Sequence, residues 1–116
     1  MWEYKYFTEK EMRCKCGCGG LPKPELMEKL DRLREMYGRP IRVTSGFRCK
    51  SYNTKIGGAP TSRHTTGEAV DISANSADKY SLIQLGYLLG FGGIGVDKVF
   101  LHLDIRPTEE GRVWVY

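Results

Sequence analysis

The fold of this chain is decided by residues 62–73, which read SRHTTGEAVDIS. The second half of this segment alternates as a half-buried strand does, with Val70 and Ile72 on one face and Asp71 on the other. Gly67 allows the segment before the strand to turn tightly. The pattern therefore predicts a strand with an apolar face toward the core and a polar face that carries Asp71.

A second strand is predicted over residues 99–105, VFLHLDI. Leu101 and Leu103 share one face of this strand, whereas His102 and Asp104 share the opposite face. A histidine and a carboxylate therefore project together from a strand whose other face is apolar enough to be core.

The only two histidines of the chain are His64 and His102. Together with Asp71 they provide two imidazoles and one carboxylate, the three-ligand set typical of catalytic zinc, which leaves a fourth position open. Two ordinary hydrogen-bonded histidines explain the residue pattern equally well, so the pattern alone leaves both interpretations open.

The rest of the chain alternates between helical and extended patterns. We predict a helical turn over residues 7–12, with Thr8 and Glu11 as a capping box. Further helices are predicted over 24–37, 50–56 and 77–89, and further strands over 41–44 and 113–115. The segment 90–95 is interpreted as a glycine-punctuated connection. These elements predict an α+β fold, a small antiparallel sheet flanked by helices, and one domain over residues 1–116.

Composition restricts the possible partners. A charged fraction of 28% and a hydrophobic fraction of 41% are ordinary for a soluble protein. The net charge of +4 favours an acidic partner, but the basic residues are scattered and form no nucleic-acid-binding arm. The N-terminus lacks the apolar region of a signal peptide, and no stretch is long enough to span a bilayer. We therefore expect synthesis in the cytoplasm, no membrane insertion, no specific nucleic acid and a monomer.

Four cysteines are present, at positions 14, 16, 18 and 49. Three interpretations stay open: free thiols, one disulfide from the N-terminal group to Cys49, or a small structural metal site. The absence of an export signal favours reduced thiols.

A family resemblance adds to this picture. The pattern S-x-H-x-x-G-x-A-x-D at residues 62–71, with H-x-D at 102–104, resembles the signature of the zinc D-Ala-D-Ala carboxypeptidase and L-alanyl-D-glutamate endopeptidase family. That family shares its metal-site fold with lysostaphin-type enzymes and the hedgehog signalling domain. The segment TSGFR at 44–48, followed by Asn53 and GGA at 57–59, resembles the family's Ser-Gly-aromatic-Arg segment and the loop after it.

This resemblance implies a hedgehog/D-Ala-D-Ala-peptidase-like fold and a zinc metallopeptidase that hydrolyses amide bonds in peptidoglycan stem peptides. It implies one Zn²⁺ per chain, held by His64, Asp71 and His102. It also implies that Arg48 is a cation near the substrate carbonyl or carboxylate, while Ser62 either binds substrate or caps its loop. A phage-type endolysin or a D-Ala-D-Ala carboxypeptidase would act at the bacterial cell wall, released by a holin or carried on a virion.

The general base departs from the family pattern. Many relatives carry a carboxylate three residues before the last histidine, where this chain has Val99. Asp104 is favoured as the replacement because it shares a face with His102, from which it could contact the metal-bound water or orient the ligand imidazole. Asp97, just before the strand, is the next candidate, followed by Glu68 or water without a carboxylate base.

Two other functions stay open. The missing carboxylate is compatible with a non-catalytic, zinc-binding, hedgehog-like module, and the positive charge with a small nucleic-acid-binding domain. Four aromatic residues could line a substrate groove or belong to the core: Phe91, Phe100, Trp114 and Tyr116.

Overall fold

The computed structural model describes residues 2–116. Its helices are α1 (Glu9–Met12), α2 (Pro24–Tyr37), α3 (Lys50–Lys55) and α4 (Ser76–Leu88), with 3₁₀ turns at Arg63–Thr66 and Thr108–Glu110. Its strands are β1 (Val43–Ser45), β2 (Ala69–Ser73), β3 (Gly93–Val96), β4 (Phe100–Asp104) and β5 (Arg112–Val115).

The strands form one sheet in the order β1-β2-β4-β3-β5, which confirms the α+β class. The pairs β1–β2, β2–β4 and β3–β4 are antiparallel, as expected for a small sheet built largely from neighbouring strands. The edge pair β3–β5 is parallel. Strand β4 runs opposite to β3, and the chain reverses direction again between β4 and β5. Strand β5 therefore runs in the same direction as β3, the strand beside which it lies.

The helix termini follow the local signals in the sequence. The Thr8 side chain accepts a hydrogen bond from the Glu11 backbone while the Glu11 side chain caps the Thr8 backbone, so the predicted capping box is confirmed. Helix α2 begins at Pro24 and ends before Gly38, whose φ of 74° is the left-handed conformation that glycine adopts readily.

Strand β3 was not expected, because glycine is unfavourable within strands. Its two glycines are required by close approach on one face. A Cβ atom at Gly93 would lie 2.2 Å from the carboxylate oxygens of Asp104, and one at Gly95 would lie 2.6 Å from the ring of Trp114. The glycines therefore make room for side chains from the neighbouring strands.

The core lies between the helices and the apolar face of the sheet. Val70, Ile72, Leu101 and Leu103 form one buried cluster with the apolar stripe of α2. The cluster includes Leu26, Met27, Leu30 and Leu33 from that helix and Leu82 from α4. The opposite face of the sheet is left free for polar residues. No helix within residues 2–116 combines the length and the apolar character needed to cross a bilayer.

Candidate metal centre

The sheet register aligns the polar groups in a row. Asp71 on β2 pairs with His102 on β4, His102 pairs with Gly95 on β3, and Gly95 pairs with Trp114 on β5. Paired residues project from the same face, so Asp71, His102 and Trp114 all lie on the face opposite the core. Because Gly95 has no side chain, the Trp114 ring reaches to 5.1 Å from the His102 ring, centroid to centroid.

His64 reaches this row from the 3₁₀ turn Arg63–Thr66. The Ser62 hydroxyl accepts a hydrogen bond from the His64 backbone at 3.2 Å, and Gly67 ends the turn with a φ of 77°. On the ring, His64 Nδ1 lies 2.8 Å from the carbonyl oxygen of Gly46. The backbone on both sides of the turn and the Gly46 carbonyl therefore orient the imidazole.

Three side chains converge in front of the sheet. His64 Nε2 lies 3.2 Å from Asp71 Oδ1, and His102 Nδ1 lies 3.1 Å from the same oxygen. All three residues are buried, and their ligand atoms all lie within 4.8 Å of one another. His64 Nε2 is a buried nitrogen without a hydrogen-bond partner in the described part of the chain. Such an atom is rare in folded proteins, and its position beside Asp71 and His102 suits a metal ion.

The protonation of the two imidazoles follows from their outer partners. A carbonyl oxygen accepts only, so His64 Nδ1 donates to Gly46 and Nε2 carries the lone pair. His102 Nε2 lies 2.8 Å from Asp104 Oδ2 and donates to that carboxylate, which leaves the lone pair on Nδ1. Two lone pairs and the Asp71 carboxylate then face one point, so the donor set fits a divalent cation of borderline softness such as Zn²⁺.

The pKa values are consistent with a site that attracts positive charge. Burial alone would lower the pKa of His102, but hydrogen bonds to Asp104 and Asp71 outweigh it and raise the pKa. Burial alone would raise the pKa of Asp71, but the hydrogen bond from His102 and the His64 ring beside the carboxylate hold it well below its usual range. In the metal-free protein this raised pKa favours a second proton on His102, at Nδ1, which offsets the buried carboxylate charge.

Asp104 lies behind His102, on the side away from Asp71, and is fully buried. Besides the bond from His102, it accepts three bonds from Arg106: from the backbone nitrogen at 3.1 Å, from Nε at 2.8 Å and from Nη2 at 2.8 Å. Burial opposes ionisation, yet the bonds from Arg106 and His102 hold the Asp104 pKa well below its usual range. Asp104 is thus an ionised carboxylate whose two oxygens are both engaged.

Arg48 lies on the opposite side of the cluster from Asp104. Its Nη2 atom is 3.3 Å from Asp71 Oδ2, Nε donates to Ser45 Oγ at 3.0 Å, and Nη1 donates to Asn53 Oδ1 at 3.2 Å. Asn53 is buried and its amide nitrogen donates to the Ala59 carbonyl at 2.9 Å. The guanidinium is therefore held in one orientation by three side chains, and Asn53 emerges as a positioning group.

Asp97 and Glu68 lie outside this cluster. Asp97 closes the hairpin between β3 and β4: its backbone nitrogen donates to Phe100 at 3.1 Å, and its Oδ2 accepts from the Val99 nitrogen at 3.1 Å. Hairpin-closing residues face the same side, so Asp97 lies beside Phe100, at the edge of the row that holds His102. Glu68 is bound by Thr66 at 2.6 Å and by lysine and arginine side chains, away from the imidazoles.

An open cleft of about 570 Å³ lies over the converging side chains. Phe100, Trp114 and Tyr116 line it, whereas Phe91 is buried in the core. Four arginines contribute to its walls: Arg48, Arg63, Arg106 and Arg112. The cleft thus combines aromatic and cationic surface, which suits a peptide that carries carboxylates.

Arg106 and Arg112 were not recognised from the sequence. Arg106 could have been predicted to lie in the cleft, because it stands two residues after Asp104 and so continues the polar face of the strand. Arg112 pairs with Gly93 across the parallel edge, so its position depended on a strand that the sequence did not indicate.

Comparison with known proteins identifies the family of this chain. Residues 5–104 match the family model described as peptidase M15. Over 91 residues, or 76% of this chain, the sequence is 41% identical to the zinc D-Ala-D-Ala carboxypeptidase of Streptomyces albus G. The match covers 36% of that relative, so the chain spans about a third of its length. The residues that match the family model include His64, Asp71 and His102, and the chain belongs to the peptidase M15 family.

Proposed function

We propose that this protein is a zinc metallopeptidase that hydrolyses an amide bond in peptidoglycan stem peptides at the bacterial cell wall. The observation that carries the proposal is the buried, unpartnered His64 Nε2, which faces Asp71 together with His102 Nδ1. The name of the Streptomyces relative supports both the zinc and a substrate that ends in D-alanine.

His64, Asp71 and His102 would hold the metal through two nitrogens and one oxygen. When bound, Zn²⁺ supplies a Lewis acid that polarises the scissile carbonyl and makes a water molecule more acidic. The protein orients the donors before the metal arrives: Gly46 directs His64, and Asp104 directs His102. Such outer partners fix the tautomer and the basicity of each imidazole.

Arg48 would stabilise negative charge on the substrate. Amide hydrolysis builds charge on the carbonyl oxygen, and a guanidinium held in place stabilises that charge without reorganisation. The bonds to Ser45 and Asn53 supply this preorganisation. Arg48 also suits a terminal carboxylate, which a guanidinium can bind in bidentate geometry. Ser62 lines the same cleft and caps the turn of His64, so its hydroxyl borders bound substrate.

We assign proton transfer to Asp97 rather than to Asp104. Both oxygens of Asp104 are engaged, and its donor His102 lies between it and the reacting centre. Asp97 is paired with Phe100, which lines the cleft, and it lies in the hairpin whose tip, Lys98 and Val99, is exposed. A general base must reach the attacking water, so this assignment requires the Asp97 side chain to leave the Val99 nitrogen and turn toward the cleft.

The decisive experiment is mass spectrometry of products from purified sacculi and from a synthetic stem pentapeptide ending in D-Ala-D-Ala. Loss of terminal alanine would identify a carboxypeptidase, whereas internal fragments from sacculi would identify an endolysin-type endopeptidase. We expect His102→Ala to abolish product formation, and Val99→Ala, an exposed neighbour in the same hairpin, to retain it. A folded, zinc-loaded protein that releases no product would contradict the proposal and favour a non-catalytic zinc-binding module.

A further inference from the structure

A second group of potential metal ligands lies outside the cleft. Its sulfur atoms belong to Cys14, Cys16, Cys18 and Cys49, and all four Sγ atoms lie within 4.8 Å of one another. We refer to these residues as the sulfur cluster. We propose that the sulfur cluster is a structural zinc site, separate from the metal centre of the cleft.

The sulfur spacing fits one ion better than a disulfide. Cys14 Sγ lies 3.4 Å from Cys16 Sγ, and Cys16 Sγ lies 3.6 Å from Cys49 Sγ. A tetrahedral site with Zn–S bonds of about 2.3 Å has sulfur–sulfur edges of about 3.8 Å, whereas a disulfide bond measures about 2.05 Å. A disulfide would also leave two of the four sulfurs unused, although all four converge.

Backbone hydrogen bonds surround the sulfur atoms as they do in thiolate sites. The Cys49 nitrogen donates to Cys14 Sγ, the Gly20 nitrogen to Cys18 Sγ and the Tyr52 nitrogen to Cys49 Sγ, each at 3.4 Å. Such donors stabilise sulfur when it carries negative charge, so they favour the deprotonated ligands that zinc requires. An all-thiolate, tetrahedral set selects zinc over oxygen-seeking cations such as Mg²⁺.

The C-x-C-x-C spacing can converge because Gly17 separates Cys16 from Cys18 and Gly19 follows Cys18. Gly17 and Gly19 have φ angles of 84° and 83°, a conformation that side-chain-bearing residues rarely adopt. The Cys14 nitrogen donates to the Gly20 carbonyl at 3.0 Å and so closes the loop. The glycines therefore curl the loop until its three sulfurs face the same point.

A bound ion would stabilise this loop, which buries little apolar surface. Residues 13–20 form neither helix nor strand, and of these residues only Cys14 is buried. A loop without a core gains little from the hydrophobic effect, and small domains commonly hold such loops with metal or disulfide links. The positive residues Arg13, Lys15 and Lys50 are adjacent in sequence to the ligands and offset the negative charge of a zinc–thiolate group.

The sulfur cluster would also fix a segment that the cleft depends on. Cys49 directly follows Arg48, and the Phe47 nitrogen donates to the Met12 carbonyl at 2.9 Å, which ties the two parts of the chain together. The same segment contains Gly46, whose carbonyl orients His64. The structural zinc would therefore link the N-terminal loop to the segment that positions Arg48 and His64.

The test is metal analysis of the His102→Ala variant, in which the cleft site is disabled. We expect the parent to bind about two zinc ions per chain and the variant to retain about one. Cobalt substitution of this variant should give a sulfur-to-metal charge-transfer band in the near ultraviolet. Cys49→Ser should lose the band, whereas Ser51→Ala, an exposed position in the same helix, should keep it.

A mercurial titration of the His102→Ala protein decides the matter if Cys49→Ser does not fold. Zinc should leave in proportion to thiol modification, with about four thiols per ion. A variant that retains no zinc, that retains iron instead, or whose intact mass shows a disulfide would overturn the proposal. A parent protein with zinc only at the sulfur cluster and no hydrolysis would contradict the proposed function and leave the structural site supported.

Discussion

Replacement of Asp104 by asparagine separates a positioning role from a catalytic one. The substitution preserves shape but replaces one carboxylate oxygen with an NH₂ group that donates. In the structure Oδ2 accepts from His102 and Arg106, and Oδ1 accepts twice from Arg106. Either orientation of the amide therefore sets a donor against a donor in a fully buried place. His102 then loses the partner that holds its tautomer.

The expected effect is on zinc affinity. Loss of an outer partner of a metal-binding histidine costs about 10–100-fold in affinity, or about 1.4–2.7 kcal/mol. We expect the free zinc concentration for half-maximal hydrolysis to rise by this factor. Activity at saturating zinc should fall much less, because the reacting groups remain in place.

Hydrolysis of the stem peptide measured in a series of zinc buffers provides the assay. Glu35→Gln, the same chemical change on the exposed face of α2, is the control and should behave as the parent does. An unchanged zinc requirement combined with a collapse of kcat would refute the reasoning, because Asp104 would then be the proton-transfer group.

Three further outcomes follow from the same contacts. Asp97→Asn should lower kcat by about 10²–10⁴-fold with an unchanged zinc requirement; full activity at saturating zinc would remove Asp97 from the mechanism. Gly93→Ala should lower stability by about 1–3 kcal/mol in thermal denaturation, because its Cβ would lie 2.2 Å from the Asp104 oxygens, and an unchanged Tm would contradict the need for glycine there. The hydrogen bond from Thr66 is the main cause that holds the pKa of Glu68 below its usual range. Its stabilisation is therefore present above the ordinary glutamate pKa of about 4.3 and is lost as the pH falls through the lowered pKa of the folded protein. Urea denaturation should show a deficit of about 0.5–1 kcal/mol for Glu68→Gln at neutral pH that disappears in acid, and a deficit independent of pH would contradict this ionic origin.

Local signals predicted most of the elements. Helix α2 has the predicted bounds because Pro24 starts it without losing a needed hydrogen bond and Gly38 ends it in the left-handed conformation. Alternation along β4 placed His102 and Asp104 on one face, since side chains of a strand alternate regardless of context. These features depend on neighbours within a few residues.

Strand β3 escaped prediction because its cause is not local. Gly93 and Gly95 weaken a strand when considered alone, but they are needed once Asp104 and Trp114 occupy the space above them. These two side chains lie above the glycines because β3 is placed between β4, which carries Asp104, and β5, which carries Trp114. Arg112 reaches the cleft for the same reason.

The roles of the carboxylates could be assigned only from their hydrogen bonds in the folded protein. Shared parity suggested Asp104 as the base, yet parity does not reveal that Arg106 and His102 occupy both of its oxygens. Likewise, the spacing of the cysteines left three interpretations open and did not reveal that Cys49 meets the other three sulfurs in the folded chain.

By itself, the sequence determined the ends of α2, the polar faces of two strands and the identity of the groups able to bind a metal, because each depends on residue type and on periodicity along the chain. Only the tertiary structure decided which nitrogen of each histidine faces Asp71, which carboxylate is enclosed and which segments meet at the sulfur atoms. These properties depend on distances of a few ångströms between residues far apart in sequence, and only the packed sheet and its loops establish such distances.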